Sequence, residues 1–561
     1  MKKKPYLEYS IITIIALLLI IVIHYQLGNP INSGDRSSLT DEIVILYTND
    51  VHCYVDQYLG YAGLAAYKEQ LKKKNPNVIL VDCGDAIQGE HIGTIAQGEF
   101  IVDMMNKVGY DLAILGNHEF DYGMGSLKVV INRSKAKYLN CNITYNGSQE
   151  NALSQMASYT VLTYGKTKLG FVGVTTPGST NTSTPIYFQE NGLFVYDFKS
   201  HYNGKDLFET VQRSVDDCIK EGAHYVILLS HLGVGTGYEP YTSTNLIANT
   251  TGIDAVLDGH SHTVIPYMLV KNKIGNNVVL TSTGERLRNI GQLTISPKGI
   301  FSELLTNYKN KEKGLEEYIS SIRSTYKAEM QKIVGTSTTH LSIYDERYVR
   351  LIRNRETNLG DWCTDALLYA TKGDIALFNG GSIRADIKKG TVTLGDLKDV
   401  NGFNNMICKI SATGQEILDT LEMAYRKTMN VVTVDGKWSV GEFGGFLQVS
   451  GLKCTIDTSQ PSYVIVDDNG MYEKINGPRR VKDVMVKQGD EYVPIDPKKE
   501  YIVVSTEYLI KESGDGINTF CNHKLLEDCS IHVTQAYIDY FRHLNGDFSA
   551  YEKPQGRITV K

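Results

Sequence analysis

The chain has 561 residues, more than a single hydrophobic core usually organises, so we expect two folded domains. Hydrophobic residues make up 42% and charged residues 21% of it, a composition typical of soluble globular proteins. The formal net charge is -6 and the sequence contains no basic stripe, so nothing in it points to nucleic-acid binding.

Residues 1–30 differ from the rest of the chain. Three lysines precede an apolar run over residues 11–23 that only Thr13 interrupts. This order is typical of a secretory signal whose positive end stays in the cytoplasm. Because residues 21–26 are bulky and offer no small-residue cleavage site, the sequence favours an uncleaved signal anchor over a cleaved signal. We therefore expect the folded body outside the cytoplasm, anchored to the cell membrane or secreted.

From residue 42 to about 310, short apolar runs alternate with amphipathic stretches, which predicts a layered α/β domain. A helix is predicted over residues 62–74. Continuous apolar runs predict buried strands over residues 43–47, 78–81, 112–115, 169–174, 226–229 and 255–257.

Five short polar segments follow these runs, and each lies near the carboxyl end of a predicted strand, where open α/β sheets place their sites. A single Gly-Asp or His-x-His would more often be an ordinary turn or a satisfied pair. Five of them in one order make a two-metal hydrolase the better interpretation. The segments are Asp50-Val-His52, Gly84-Asp85, Gly116-Asn117-His118-Glu119, Ser230-His231 and Gly259-His260-Ser-His262.

The residue types suit two divalent ions that together clamp the oxygens of an in-line displacement. Such a site needs a bridging carboxylate, for which Asp85 is the candidate. Asp50 and His52 lie two apart, so on an extended segment they face the same side. Asn117 adds a neutral oxygen, which keeps the site receptive to phosphate. The absence of cysteine ligands favours a catalytic site over a closed structural zinc site.

Residues 314–335 place apolar side chains three and four apart, which predicts a helix with one apolar face. We interpret residues 313–336 as a connecting helix between a domain over 41–312 and a second α/β domain over 337–561.

The order of the polar segments resembles the calcineurin-like metallophosphoesterase superfamily, and the segment Gly-Asn-His-Glu-Phe-Asp-Tyr-Gly at 116–123 narrows the resemblance to the 5'-nucleotidase family. Segments of the second domain at 355–360, 379–384, 445–451 and 513–516 resemble that family's C-terminal domain. The resemblance implies a four-layer calcineurin-like α/β sandwich joined by a helix to a second α/β domain, with the active site between them.

The resemblance also implies a division of roles at the metal site. His118 would be a catalytic imidazole oriented by Asp121 and not a ligand. The metals would be Zn, Mn, Co or similar ions. One would be held by Asp50, His52, Asp85 and His262, and the other by Asp85, Asn117, His231 and His260.

In the second domain, the resemblance assigns the phosphate to Arg384, whose guanidinium fork suits a phosphate ester. The segment Asn379-Gly380-Gly381 would let the backbone approach the ligand closely. Arg426 is a weaker second candidate. Asp515, in the segment 513–516, is also expected in the substrate site.

The family stacks the nucleobase between two aromatic rings, and Phe446 is predicted to be the first. The position of the second is Ile517, which has no π-face, so part of the stacking energy of about 1–3 kcal/mol per aromatic would be missing. Phe520, three residues further on, is the alternative partner for the base.

The leading functional prediction is an extracytoplasmic 5'-nucleotidase that releases phosphate from nucleoside 5'-monophosphates. Hydrolysis of UDP-sugars or of nucleoside di- and triphosphates, and 2',3'-cyclic nucleotide phosphodiesterase activity, stay open because the same metal centre serves them all. A surface binding protein with a relic site is the non-enzymatic alternative. The predicted partners are a nucleotide and, through the N-terminal segment, the membrane; the oligomeric state is not predicted.

Overall fold

The computed structural model describes residues 42–561 apart from 149–150, 152, 154–155, 236–237, 404, 430–431, 435–436 and 440. The predicted signal anchor over residues 1–30 lies outside the described residues. Within the described ranges, no helix is both long enough and apolar enough to cross a membrane.

The first domain contains two six-stranded sheets. The first sheet has the order β16-β15-β1-β2-β3-β4 and the second β13-β14-β12-β11-β7-β6. The strands are β1 Ile43–Thr48, β2 Val78–Asp82, β3 Leu112–Ile114, β4 Lys137–Leu139, β5 Thr144–Tyr145, β6 Tyr159–Tyr164, β7 Thr167–Thr175, β8 Gln189–Glu190, β9 Leu193–Phe194, β10 Tyr196–Asp197, β11 Tyr225–His231, β12 Ala255–Leu257, β13 Val264–Lys271, β14 Asn277–Thr283, β15 Ile290–Ser296 and β16 Gly299–Leu305.

Helices cover the outer face of both sheets. The helices are α1 Gly60–Lys72, α2 His91–Ile95, α3 Glu99–Val108, α4 Gly123–Arg133, α5 Ser179–Thr182, α6 Lys205–Lys220 and α7 Ser243–Asn249. All six residues of β1 are buried, because alternate side chains enter different cores: Ile45 packs between the sheets, whereas Leu46 packs under the helices. The arrangement is the expected four-layer sandwich.

The connection is helix α8, Lys313–Met330. Its Leu315, Ile319 and Ile322 pack on the first domain's core, as the apolar spacing predicts. The predicted helix extends too far, because Ile333 already belongs to a strand and is exposed.

The second domain contains a five-stranded sheet of order β23-β18-β29-β20-β30 and a four-stranded sheet of order β28-β27-β24-β31. Its helices are α9 Asn358–Thr371, α10 Leu394–Val400, α11 Gly414–Tyr425, α12 Glu507–Ile510 and α13 Val533–Leu544. Its strands are β17 Ile333–Ser337, β18 Ile375–Asn379, β19 Gly390–Thr393, β20 Met406–Thr413, β21 Val432–Val434, β22 Lys437–Ser439, β23 Leu447–Ser450, β24 Leu452–Ile456, β25 Val464–Val466, β26 Tyr472–Ile475, β27 Val481–Gln488, β28 Glu491–Pro494, β29 Glu500–Thr506, β30 Leu525–His532 and β31 Ile558–Val560.

Candidate two-metal active site

Two groups of side chains at the carboxyl ends of the first domain's strands can each hold a metal ion. In each group, one ligand atom per residue lies within 4.8 Å of the others. The parallel strands β1, β2, β11 and β12 all end at this edge and deliver the side chains there. The first group is Asp50, His52 and His262, and the second is Asp85, His231 and His260.

Asp85, a member of the second group, also lies close to the first. Its Oδ2 is 3.1 Å from His231 Nε2 and 3.8 Å from His52 Nε2, so one carboxylate reaches an imidazole of each group. The His231 contact lies outside hydrogen-bonding geometry, and the buried Asn117 Oδ1 has no hydrogen-bond partner among the described residues. His231 Nε2 and Asn117 Oδ1 are thus buried acceptors without a hydrogen-bond donor in the described part of the chain. This fits a site for two divalent cations in which Asp85 is the bridging ligand.

Backbone carbonyl groups orient two of the imidazoles. His52 Nδ1 lies 2.9 Å from the Gln88 carbonyl oxygen, and His231 Nδ1 lies 2.6 Å from that of Cys83. When each Nδ1–H donates to its carbonyl, the Nε2 lone pair faces the metal space, an arrangement that usually supports metal-binding histidines. His262 Nδ1 lies 2.9 Å from Glu285 Oε2.

Burial holds the pKa of His52 and of His260 well below the ordinary value, so both imidazoles are neutral at neutral pH. Neutral imidazole is the form that binds a metal ion. Burial alone would raise the pKa of Asp85, but the imidazoles of His231 and His118 hold it well below its usual range. The bridging candidate is therefore ionised.

The ligands lie on strained loops. Asp50, Asp85 and His260 have φ values of 50°, 57° and 76°, in the left-handed region that non-glycine residues seldom adopt. Gly84 must lack a side chain, because a Cβ there would lie 2.5 Å from the backbone nitrogen of Gly116. The loops after β2 and β3 therefore touch through their backbones.

Glu119 fixes these two loops, a role that the sequence reasoning did not assign. Its buried carboxylate accepts hydrogen bonds from the backbone N–H groups of Asp85 (2.8 Å), Ala86 (2.8 Å) and Gly116 (2.6 Å). The sequence held one indication of this role: Glu119 directly follows the candidate site residues Asn117 and His118, so its carboxylate had to lie near the metal site. Glu119 is a positioning residue for Asp85 and Asn117.

His118 lies beside the ligands but outside both groups. Its Nδ1 is 2.6 Å from Asp121 Oδ2, and Asp121 in turn accepts a hydrogen bond of 2.9 Å from the Ser183 hydroxyl. The His118 ring centroid is 5.3 Å from that of His52. A carboxylate thus fixes an imidazole at the edge of the metal space.

The two domains enclose a cleft of about 550 Å³ above these side chains. The first domain contributes tyrosines such as Tyr187 and Tyr238 and, from the metal site, Asp85, Asn117, His260 and His262. Of the residues predicted for the substrate site, the cleft is lined by Asn379, Gly381, Arg384, Arg426 and Asp515.

Arg384 faces the metal site across this cleft. Burial, followed by the neighbouring guanidinium groups of Arg353 and Arg350, lowers its pKa to about 9. Arg353 also lines the cleft, and burial and Arg350 lower its pKa. Glu442 pairs with Arg350 and lies 3.8 Å from Arg353, and the guanidinium groups of Arg353, Arg384 and Arg426 line the cleft. Two half-buried cations beside a metal site create a favourable field for an anion.

Asn379 and Asp515 form a hydrogen-bonded pair, with the Asn379 amide donating to Asp515 Oδ2 over 2.9 Å. Burial raises the pKa of Asp515 to about 6. Gly381 packs closely on Gly444, since a Cβ at position 381 would lie 3.1 Å from Gly444 backbone atoms. The Gly-Gly turn therefore allows this loop to approach the cleft wall.

Phe446, expected to stack on the base, does not line the cleft in this structure. Phe446 is 1% exposed and packs on Tyr425, with ring centroids 4.8 Å apart, because its position immediately before β23 turns the side chain into the core. Ile517 and Phe520 lie in the same core and do not line the cleft.

Two other phenylalanines line the cleft instead. The Phe403 ring lies 5.7 Å from the Arg384 guanidinium carbon and 6.1 Å from the His118 ring. The Phe443 ring carries the Arg426 guanidinium at 4.1 Å. Neither belongs to a segment that the sequence analysis singled out. Phe443 is three residues before Phe446, so the residue that lines the cleft lies just outside the family motif.

Comparisons with known proteins agree with this architecture. Residues 43–264 match the calcineurin-like phosphoesterase family, and residues 333–522 match the 5'-nucleotidase C-terminal domain family. The chain is 25% identical over 571 residues to the snake venom 5'-nucleotidase of Gloydius brevicauda, covering 92% of this chain and 88% of that one.

The 5'-nucleotidase of Bos taurus is 26% identical over 580 residues, with 92% of this chain and 90% of that one covered. The crystal structure of a 5'-nucleotidase precursor from Thermus thermophilus superposes with a TM-score of 0.76 at 26% identity, covering 92% of this chain and 99% of that one. The similarity therefore spans both domains.

Proposed function

The chain belongs to the 5'-nucleotidase family, and from that membership we propose that it is an extracytoplasmic enzyme that releases phosphate from nucleoside 5'-monophosphates. It is a metal-dependent phosphoester hydrolase of nucleotides. One observation carries the proposal: two adjacent metal-ligand groups face Arg384 across a single cleft, and Asp85 of the second group reaches an imidazole of the first.

Two divalent ions held by the predicted ligands would supply the Lewis acidity that polarises a phosphoryl oxygen and activates water. The protein's own residues do the remaining work. Arg384 and Arg353 bind the phosphoryl oxygens and orient the ester for in-line attack. Their positive charge stabilises the negative charge that builds up on these oxygens.

His118 is proposed as the catalytic acid. Its Nδ1–H donates to Asp121, which leaves Nε2 as the nitrogen available to the substrate. Nε2 can hold a proton and give it to the leaving 5'-oxygen of the nucleoside. The second carboxylate oxygen of Asp121 is held by Ser183, so the imidazole has a fixed orientation.

The nucleoside would occupy the second-domain wall of the cleft. Phe403 and Phe443 offer ring faces for the base, a role that we move from Phe446, and Asp515 with Asn379 offers polar groups for the sugar. Arg426, stacked on Phe443, is proposed to border the base.

A substrate panel tests the activity. The purified enzyme is assayed for phosphate release from AMP, UMP, ADP, ATP, UDP-glucose and 2',3'-cyclic AMP with Mn²⁺, Co²⁺ or Zn²⁺. We expect the highest kcat/KM for the 5'-monophosphates. Turnover of UDP-glucose or the cyclic nucleotide without turnover of AMP would overturn the proposal in favour of the other phosphoesterase activities.

The extracytoplasmic location rests on the N-terminal lysines and apolar run. Cys408 is disulfide-bonded, which also supports an oxidising compartment. Protease added to intact cells should degrade the enzyme, and full protection until the cells are lysed would contradict the location.

A further inference from the structure

The end of the first domain opposite the cleft is strongly basic. We call it the basal face and define it by the loops where the strands begin: residues 72–77, 109–111, 134–137, 164–168, 220–224, 249–254, 271–277 and 296–299. Eleven lysines lie on it, and all but Lys168 are exposed: Lys72, Lys73, Lys74, Lys135, Lys137, Lys166, Lys168, Lys220, Lys271, Lys273 and Lys298.

The fold gathers these lysines on one face because both sheets begin at the same end. In the first sheet, β1 and β2 run parallel, and in the second sheet β7, β11, β12 and β14 do so. Tyr47 and Thr281, both near strand ends at the cleft side, are hydrogen-bonded over 2.6 Å between the sheets. Cys141 N, just after β4, donates to Gly173 O of β7 over 2.8 Å. The strands of both sheets therefore run in the same direction.

The positive charge is not neutralised locally. Among the described residues, none of the eleven lysines lies within 4.0 Å of a carboxylate oxygen. Few carboxylates lie on the same face: Asp111 pairs with Lys68, Glu221 accepts a hydrogen bond from Tyr159, and Asp254 is buried. Glu42, at the start of β1, is exposed beside them. The whole chain has a net charge of -6, so this face stands apart from the rest of the molecule.

Helix ends do not explain the pattern. Lysines in the last turn of a helix, such as Lys72 and Lys220, interact favourably with the helix dipole. Lys166, Lys273 and Lys298 lie in β-turns, however, where no such dipole exists. Ile274, at the tip of the β13–β14 turn beside Lys273, is 64% exposed. An exposed apolar tip that shares its turn with Lys271 and Lys273 suits the headgroup region of a membrane.

The chain also enters the domain at this face. The side-chain amides of Asn75 and Asn77 donate to the carbonyl oxygen of Glu42, over 3.0 and 3.4 Å, so the start of β1 lies beside the lysine run at 72–74. Residues 24–41 join this point to the apolar run at 11–23 and span at most about 60 Å when fully extended. A membrane that holds the run must lie within this reach of the basal face.

We propose that the basal face rests on the anionic phospholipid headgroups of the membrane that holds the N-terminal segment, so that the cleft opens away from the membrane. The inference rests on the proposed membrane anchoring. Each lysine near such a surface gains attraction, which salt screens.

Hydrogen exchange of the full-length protein in nanodiscs tests the proposal. Nanodiscs of phosphatidylcholine are compared with nanodiscs that also contain phosphatidylglycerol. We expect amides of loops 72–77, 164–168, 271–277 and 296–299 to exchange about fivefold or more slowly with the anionic lipid, an effect that high salt removes. Segment 489–499 of the second domain, which contains β28, is the internal control. Equal exchange of the basal loops in both lipids would overturn the proposal.

Two matched charge variants sharpen the test. The basal variant carries Lys74→Gln, Lys166→Gln, Lys273→Gln and Lys298→Gln, and the control carries Lys474→Gln, Lys487→Gln, Lys498→Gln and Lys553→Gln in the second domain. Only the basal variant should lose the lipid-dependent protection, and both should keep wild-type kcat on AMP. Equal loss in both variants would mean that net charge alone matters, against the proposal.

Failures of the two proposals are distinguishable. If the full-length protein does not remain with nanodiscs, the anchoring is wrong, and cosedimentation with phosphatidylglycerol vesicles still decides whether the basal face binds lipid. If heparin protects the basal loops and the vesicles do not, the face binds a soluble polyanion and the lipid proposal fails. Neither result depends on hydrolytic activity.

Discussion

At the residue scale, the structure separates the side chains proposed to hold metal from the one proposed to handle the proton. Asp85 reaches imidazoles of both ligand groups, whereas His118 contacts Asp121 and lies outside both groups. Substitutions at these two positions should therefore produce different defects, although both residues lie in the same pocket.

His118→Ala should lower kcat by about 10²–10⁴-fold, the usual contribution of a positioned acid–base group, and should leave the metal content unchanged. Asp85→Ala should lose metal and activity together, because it removes the shared ligand. Activity assays combined with elemental analysis of the purified variants check this. Equal metal loss in the two variants would contradict the separation of roles.

Arg384→Ala should raise KM for AMP more than it lowers kcat, because the guanidinium is proposed to bind the phosphoryl group before the reaction. Steady-state kinetics on AMP give both parameters. Arg479→Ala, which removes an arginine that pairs with Asp419 away from the cleft, is the control and should leave KM unchanged. An unchanged KM in Arg384→Ala would remove this residue from the substrate site.

Ile517→Phe is now expected to affect stability and not base recognition. Ile517 is fully buried in the second domain's core, so a larger ring there should cost about 1–3 kcal/mol of the free energy of unfolding. Denaturant unfolding measures this cost, and KM for AMP and UMP should stay close to wild type. A selective fall in KM for AMP would instead return Ile517 to the base site.

At the element scale, the loops that follow parallel strands form the metal site, and Glu119 couples two of them. Glu119→Gln should weaken metal binding and lower Tm, because the amide group of glutamine places a donor against backbone N–H groups that need an acceptor. Metal titration and thermal unfolding test this, with the exposed Glu316→Gln as control. Unchanged metal affinity would show that the loops hold their positions without this carboxylate.

At the scale of the whole molecule, metal binding should couple activity to stability. Exhaustive chelation should abolish hydrolysis, and Mn²⁺, Co²⁺ or Zn²⁺ should restore it. The same ions should raise Tm, because a ligand that binds only the folded state stabilises that state. Activity assays and thermal unfolding before and after readdition check both effects. Full activity with metal absent by elemental analysis would disprove the two-metal site.

The members of the two candidate ligand groups could be singled out from the sequence because the relevant signals are local. A buried parallel strand is a continuous apolar run, and its carboxyl end is the place where a site forms, so Asp50, Asp85 and His231 are marked by their neighbours in the chain. The fold class and the connecting helix follow from periodicity in the same way. The C-terminal end of that helix could not be predicted, because Ile333 continues the helical spacing of apolar residues although it lies in a strand.

Tertiary structure alone decided which side chains face the cleft and where the charge gathers. Phe446 matches a motif but points into the core, whereas Phe403 and Phe443 line the cleft, because the direction of a side chain depends on how its loop packs. The lysines of the basal face are spread from position 72 to 298 and form no stripe in the sequence. They share one surface because parallel strands start at a common edge, which places loops that are distant in the chain next to each other.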